Sequence, residues 1–267
     1  MGVRQVVDDP DDPVLRVFRD LTDAVLRRGI EEAEGLFIAE SLQVVRRVLE
    51  DHAEQVRVVV VTPHGAQRLA DVVDRSPLVL VAAPAVLAAV AGFEVHRGVL
   101  AAVARPPERD PAELVAGSRR LVVLEDLTDQ VNLGALFRSA SALGMDAVLL
   151  SPRCVDPLYR RSVRVSMGEV LRLPWARLAS WPQGLDLVRE AGFRVVALTP
   201  QGTEPLVAPL GGQRVAVLIG SEAEGLSAGA LLASDRRVRI PMRPGVDSLN
   251  AAAAAAIAFA AYGQPEG

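Results

Sequence analysis

The sequence predicts an α/β fold built on a mostly parallel sheet, and three observations predict it. Short uninterrupted runs of Val, Leu and Ile recur along the chain, as in LVLVAA, LVVLED and RVAVLIG; runs without polar alternation fit strands covered on both faces. Segments of helical periodicity separate these runs. Half of the 267 residues are hydrophobic, mostly Val, Leu and Ala, which excludes a disordered chain and is enough for a sizeable core.

The elements follow in order. Residues 1–34 read as an acidic tail and an amphipathic helix at Val14–Arg28. Residues 35–106 then read as a small α/β domain. Its strands are expected at Gly35–Glu40, Val56–Val61, Leu78–Ala83 and Gly98–Pro106, with helices at Ser41–His52, Pro63–Asp74 and Pro84–Ala91. The prolines, mixed charges and glycine of PPERDPAELVAGSRR mark residues 107–119 as a linker. A second α/β run fills residues 120–267. It has strands at Leu121–Asp126, AVLLSP, Phe193–Pro200, Arg214–Gly220 and Arg236–Met242, and a helix at Val131–Gly144 that ends on glycine. An alanine-rich helix closes the chain.

All 29 basic residues are arginine, so every cation offers a planar fork suited to phosphate or carboxylate. The formal net charge is −4, unlike a generally basic nucleic-acid binder. Charge is uneven: residues 1–115 hold 13 Arg against 19 acids, and residues 116–267 hold 16 Arg against 14 acids. A polyanion would therefore meet local patches. The single cysteine, Cys154, cannot close an internal disulfide, and it reads as a packing residue in a reducing compartment. The start MGVRQVVDDPDDP has no apolar signal core. The apolar stretch Leu249–Tyr262 has 14 residues, short of the ~20 a membrane helix needs. A cytoplasmic protein is expected. His52, His64 and His96 are too scattered for a metal site, so none is expected.

In parallel α/β sheets, ligands bind beyond the carboxyl ends of the strands. Here LTDQVNLGALFR follows LVVLED, TPQGTEPL follows VVAL, SEAEGLS follows VAVLIG, and PMRPGVDSLN follows RVRI. Any of the last three alone is an ordinary loop composition. GSEAEG spaces its glycines as G-x-x-x-x-G without a following Lys-Ser/Thr, which argues against a dinucleotide-dependent oxidoreductase or a P-loop NTPase.

In this order and at these spacings, NLGALFRSASALG, LIGSEAEGLS and IPMRPGVDSLNAAAAAA resemble the three motifs of the SpoU/TrmH family, S-adenosylmethionine-dependent RNA 2′-O-methyltransferases of the SPOUT class. The resemblance covers Leu121 to Tyr262. A weaker likeness covers residues 35–105, where GLFIAESLQVVRRVLE and VAGFEVHRGVLAAVARP look like a small RNA-binding domain related to a ribosomal-protein fold. The resemblance implies a C-terminal trefoil knot, a homodimer with the site near its interface, S-adenosylmethionine as methyl donor and an RNA partner. Ribosomal RNA is favoured over transfer RNA because a separate N-terminal domain is present. A non-catalytic knotted RNA-binding protein is the rival from another class.

The resemblance carries over residue by residue. Asn132 and Arg138 match motif one, Gly220 and Glu222 motif two, and Ile240, Ser248, Leu249 and Asn250 motif three. Asn132, Arg138, Glu222, Ser248 and Asn250 are then the candidate catalytic residues. Leu198, Thr199, Ile219, Gly220, Ile240, Met242 and Leu249 are the candidate cofactor-binding residues. One departure is Ala223, where the family often has glycine; a methyl group there is expected to be tolerated.

The reaction needs a ribose oxygen placed in line with a sulfonium methyl. A guanidinium holds its proton at neutral pH, so Arg138 is expected to stabilise developing alkoxide and position phosphate rather than act as a base. Asp247 or Ser248 is also a good N-cap for the alanine helix, and Asn132 has a similar capping reading. Asn250 needs polar partners if buried. Within Ser151–Trp175, Arg160, Arg161 and Arg164 are expected to form a phosphate track, against the bland reading of a solvated charged face.

Overall fold

Two β-sheets organise the chain, each in its own unit. The computed structural model describes residues 3–22, 30, 31, 33–206, 213–243, 245 and 248–263. The first unit comprises Met1–Pro107 with Leu158–Gly168, and the second Glu108–Pro157 with Glu169–Gly267.

In the first unit, β1 (Val3–Val7), β2 (Leu36–Glu40), β3 (Val56–Val61), β4 (Leu78–Ala82) and β5 (Val99–Ala104) form a five-stranded sheet in the order β1-β4-β3-β5-β2. β1, β4 and β3 are parallel, and β5 runs antiparallel to both β3 and β2. Three helices connect these strands: α1 (Leu42–Asp51), α2 (Pro63–Arg68) and α3 (Pro84–Ala91). The Ser41 hydroxyl caps α1 by accepting from Val44 N, and the Thr62 hydroxyl caps α2 by accepting from Gly65 N. Pro63 and Pro84 open their helices where a missing N–H costs nothing. Leu15, Phe18, Ile38, Val60, Leu80 and Leu100 fill the core.

Three expectations change here. The supposed acidic tail contains β1. It reads weakly because most of its residues are exposed, at the sheet edge. The helix expected at Val14–Arg28 is a 3-10 helix at Pro13–Phe18, followed by turns through Thr22; its remainder, 23–28, lies outside the described residues. The helix expected at Pro63–Asp74 stops at Arg68, where the Leu69 N–H is shared among the carbonyls of Gly65, Ala66 and Gln67. A 3-10 turn at Val73–Arg75 follows.

The helix Arg160–Val165 also belongs to the first unit. Its anchor is Glu40, fully buried at the end of β2. Arg160 Nη1 and Arg164 Nη1 both donate to this carboxylate, the latter at 2.9 Å. The Arg160 guanidinium also lies 4.5 Å above the Phe93 ring. A buried carboxylate is costly unless fully paired, and two forks satisfy both of its oxygens.

In the second unit, seven parallel strands follow the order β10-β12-β9-β11-β6-β7-β8. They are β6 (Arg120–Leu124), β7 (Ala147–Leu150), β8 (Trp175–Arg177), β9 (Arg194–Leu198), β10 (Glu204–Pro205), β11 (Val215–Ile219) and β12 (Arg236–Arg239). Part of the expected linker is helix α4 (Pro111–Gly117), capped by Asp110 and grouped with this unit. Two further helices matter most: α5 (Gln130–Ala142) and α6 (Ala251–Tyr262). They pack together, and a Cβ placed on Gly263 would fall 1.7 Å from the Leu143 carbonyl oxygen. Ala255, Ala258 and Phe259 are fully buried, so the small side chains of α6 are what allow this approach. Among the described residues, no helix is long and apolar enough to cross a membrane.

Candidate active site

Register places the site. Leu124, Ile219 and Leu198 stand side by side at the carboxyl ends of β6, β11 and β9. The chain therefore leaves the sheet at adjacent points, and the loops after β9, β11 and β12 converge. Together with the start of α6 they enclose a cavity of about 490 Å³, within the ~300–1,000 Å³ typical of small-molecule sites.

Every residue expected to hold a cofactor lines this cavity: Leu198, Thr199, Ile219, Gly220, Ile240, Met242 and Leu249. Glu222, Ser248 and Asn250 line it as well. Its lining is mixed: Leu198, Ile219, Leu226, Ile240, Met242 and Leu249 are apolar, while Thr199, Gln201, Ser221, Ser248 and Asn250 are polar and Glu222 and Glu224 are acidic. Gly220 is required by close approach: an added Cβ would lie 2.2 Å from the backbone of Gly225. The loop folds back on itself there, with Gly225 N donating to Ser221 O at 2.9 Å and Gly225 in the left-handed region at φ 68°. Ala223 is exposed in this loop and is not among the non-glycine residues at positive φ, so its methyl group adds no backbone strain.

Asn250 ties the motifs together. Its Oδ1 accepts from Ala252 N and Ala253 N at 3.0 and 3.2 Å, which makes it the N-cap of α6. That fixes the amide orientation, and Nδ2 then donates to Asn132 Oδ1 at 3.0 Å and to Glu222 Oε1 at 2.7 Å. Glu222 Oε1 also accepts from Ala251 N at 3.2 Å. One residue from each motif thus meets in a single network. The cap was expected at Asp247 or Ser248. Asp247 lies outside the described residues, and Ser248 precedes the cap as an exposed cavity residue. Asn132 does not cap α5 either; Asp129 does, accepting from Asn132 N at 2.7 Å, and Asn132 is buried.

Arg138 stands apart, exposed on α5 six residues beyond Asn132 and outside the cavity lining. Arg160 and Arg164 bind Glu40 in the first unit, as described; Arg161 is exposed beside them.

Several cavity residues escaped the sequence reading, among them Gln201, Ser221, Glu224, Leu226 and Leu231. Gln201 Oε1 accepts from the Thr199 hydroxyl at 2.7 Å. Glu125, buried at the end of β6, accepts from Trp181 Nε1 at 2.5 Å and from Ser227 N at 2.9 Å, and so braces the far end of the β11 loop. An acid directly after an apolar strand is the signal that could have marked it. Its neighbour Asp126 sits in the left-handed region at φ 52°. Bonds from Arg153, and secondarily from the Ser151 hydroxyl, hold its carboxyl below the ordinary range. Cys154 is buried and free, and burial pushes its thiol up. Among the described residues, no His, Cys, Asp and Glu cluster could hold a metal ion.

A profile of the SpoU rRNA Methylase family matches residues 119–260. The chain belongs to this family. An uncharacterized tRNA/rRNA methyltransferase of Mycobacterium tuberculosis is 45% identical over 259 residues, spanning 96% of this chain and 90% of that protein. An AdoMet-bound rRNA methyltransferase from Sinorhizobium meliloti superposes with a TM-score of 0.80 at 26% identity, covering 96% of both chains. The SpoU methyltransferase AviRb from Streptomyces viridochromogenes gives 0.77 at 26% identity over 93% of this chain and 95% of its own. As a SpoU methyltransferase, the protein uses S-adenosylmethionine, and the mostly parallel α/β fold is the fold of these enzymes.

Proposed function

We propose that the protein transfers a methyl group from S-adenosylmethionine to a ribose 2′-OH of a structured RNA, with ribosomal RNA favoured. The observation that carries the reading is the Asn132–Asn250–Glu222 network, two of whose members, Asn250 and Glu222, line the cavity. A solved RNA 2′-O ribose methyltransferase with a TM-score of 0.77 at 26% identity supports the choice of acceptor. We place the reaction in the cytoplasm.

The cavity fits the methyl donor. Its volume is of the right order, its walls at Leu198, Ile219, Ile240, Met242 and Leu249 are apolar, and the Gly220–Gly225 fold-back leaves no room for a side chain to block it. When bound, S-adenosylmethionine supplies an electrophilic methyl group on a sulfonium. Where these apolar side chains displace water, they lower the cost of bringing a cation and a developing anion to neutrality. Backbone groups of the three loops and the Thr199–Gln201 pair supply polar contacts at the rim.

Asn132 and Asn250 hold the ribose in place, while Glu222 fixes Asn250 in its rotamer. Arg138 stabilises the oxyanion and a neighbouring phosphate. It stands on α5, which packs on α6, and α6 leaves Ala253, Ile257 and Ala260 exposed. This apolar stripe is the dimer face in our reading, and it brings Arg138 to the interface. The trefoil knot belongs to the same reading. Radiolabelled methyl transfer to ribosomal and transfer RNA, followed by mapping of 2′-O-methyl positions, tests the proposal. Binding without transfer would leave a non-catalytic RNA-binding protein; transfer to a base would overturn the acceptor.

A further inference from the structure

The arginines of the first unit are largely engaged by its own acids and carbonyls: Arg4 with Asp74, Arg16 with Glu34, Arg46 with Asp71, and Arg160 and Arg164 with Glu40. Arg57, Arg68, Arg97 and Arg161 are exposed without an acidic partner among the described residues, and Arg97 differs from the other three. Its backbone is left-handed, at φ 62° and ψ 10°, a conformation that residues with a Cβ rarely adopt.

The surroundings enforce this conformation. Thr62 N donates to Gly98 O at 2.8 Å, and Gly98 N to Val95 O at 2.9 Å. A Cβ on Gly98 would lie 2.4 Å from the Thr62 side chain, and one on Gly65 would lie 2.8 Å from Gly98 O. Two turns, 62–65 and 95–98, therefore interlock without room for a side chain between them, and Arg97 projects from this close-packed base. Strain of this kind persists where the site has a use for it.

Two other residues share this end of the sheet. His64 is exposed beside Gly65. Val99 pairs with Val61, and Leu100 pairs with Glu40, the residue that anchors the Arg160–Val165 helix. Arg160 of that helix stacks on Phe93, four residues before Arg97, and Arg161 next to it is exposed. Arg57, also exposed, stands at the opposite end of β3.

We infer that the Arg97 turn is a phosphate-backbone contact for the RNA substrate, with Arg161 as a second contact at the same end of the sheet. The inference rests on the functional reading above. A guanidinium binds phosphate by a bidentate fork, the fixed backbone sets where that fork can reach, and folded RNA presents phosphates and 2′-hydroxyls to such surfaces.

The test uses the full chain with deproteinised ribosomal RNA and bulk transfer RNA as probes. Arg97→Gly and Arg97→Asn both accept the left-handed region, so they remove the charge and relieve the strain. The expected result is an equal or higher melting temperature, with the RNA dissociation constant raised about tenfold, or ~1.4 kcal/mol. The slope of log affinity against log salt should fall by ~0.7–0.9. S-adenosylmethionine affinity and kcat at saturating RNA should stay unchanged, and Arg161→Ala should act in the same direction while Arg57→Ala does not. A wild-type chain that neither binds nor methylates RNA overturns the functional reading and this inference with it. An active wild type whose Arg97 variants keep its RNA affinity and salt slope overturns the inference alone.

Discussion

Asn250 Nδ2 donates to Asn132 Oδ1 at 3.0 Å across 118 residues of sequence, while the other end of the same amide caps α6. One side chain therefore serves folding and site geometry together, and two substitutions separate these roles. Asn250→Ala removes both, and loss of the cap should cost about 1 kcal/mol. Asn250→Asp keeps an acceptor for Ala252 N and Ala253 N but loses the donor to Asn132 and sets a carboxylate against Glu222. Methyl transfer should fall at least ~100-fold in both, with Asn250→Asp melting above Asn250→Ala. Calorimetry and single-turnover transfer check this; an active Asn250→Asp would reduce Asn250 to a cap.

Arg138 is exposed and outside the cavity wall, so its removal should leave the fold unchanged. Arg138→Ala is expected to lower kcat by ~100-fold or more without altering S-adenosylmethionine affinity. Arg138→Lys keeps the charge but not the fork. Substantial activity in the Lys variant would show that charge suffices; near-complete loss would assign the work to the guanidinium geometry or to base catalysis.

Gly220 has no space for a methyl group, because the obstacle is the backbone of Gly225 rather than a movable side chain. Gly220→Ala should displace the β11 loop, cost roughly 1–3 kcal/mol in stability and weaken cofactor binding measured by titration calorimetry. A variant binding S-adenosylmethionine as the wild type does would show that the loop does not shape the cavity.

The alanines of α6 divide by burial. Ala258 is fully buried, whereas Ala253 is exposed in the stripe with Ile257. Ala258→Leu should overpack the contact between α5 and α6 and cost about 1–3 kcal/mol. On the proposed dimer face, Ala253→Leu should spare the fold but weaken the proposed self-association, as read by sedimentation velocity. An unchanged dimer would remove the stripe from the interface.

Asp126 links stability to acid pH. Its carboxyl is depressed chiefly by bonds from Arg153. A group depressed in the folded state stabilises above its unfolded value, about pH 4, and loses that contribution as pH falls through its folded value. Arg153→Ala should therefore melt below the wild type at pH 7, and the gap should begin to narrow below about pH 4 and close as pH falls past the depressed folded value. A gap that does not narrow at all on acidification would assign the effect to something other than this pair.

The sequence by itself determined the parallel α/β class, most strands of both sheets, and the residues that gather at the cavity. Buried strands must be continuously apolar, and Gly220, Glu222, Ser248 and Asn250 stand in motifs whose spacing is local. The weakly patterned pieces were not legible. β1 is an edge strand with most of its side chains exposed, and the capping role of Asn250 competes with Ser248 two residues earlier in a stretch where either fits. Only the tertiary structure decided the pairings between distant segments. Arg160 and Arg164 are an ordinary charge run until folding brings them to Glu40, about 120 residues earlier and fully buried. Arg97 is an ordinary arginine until two interlocked turns force its backbone left-handed. Periodicity reports which face of an element avoids water, but a partner across the sequence is chosen by register and packing, which no local pattern encodes.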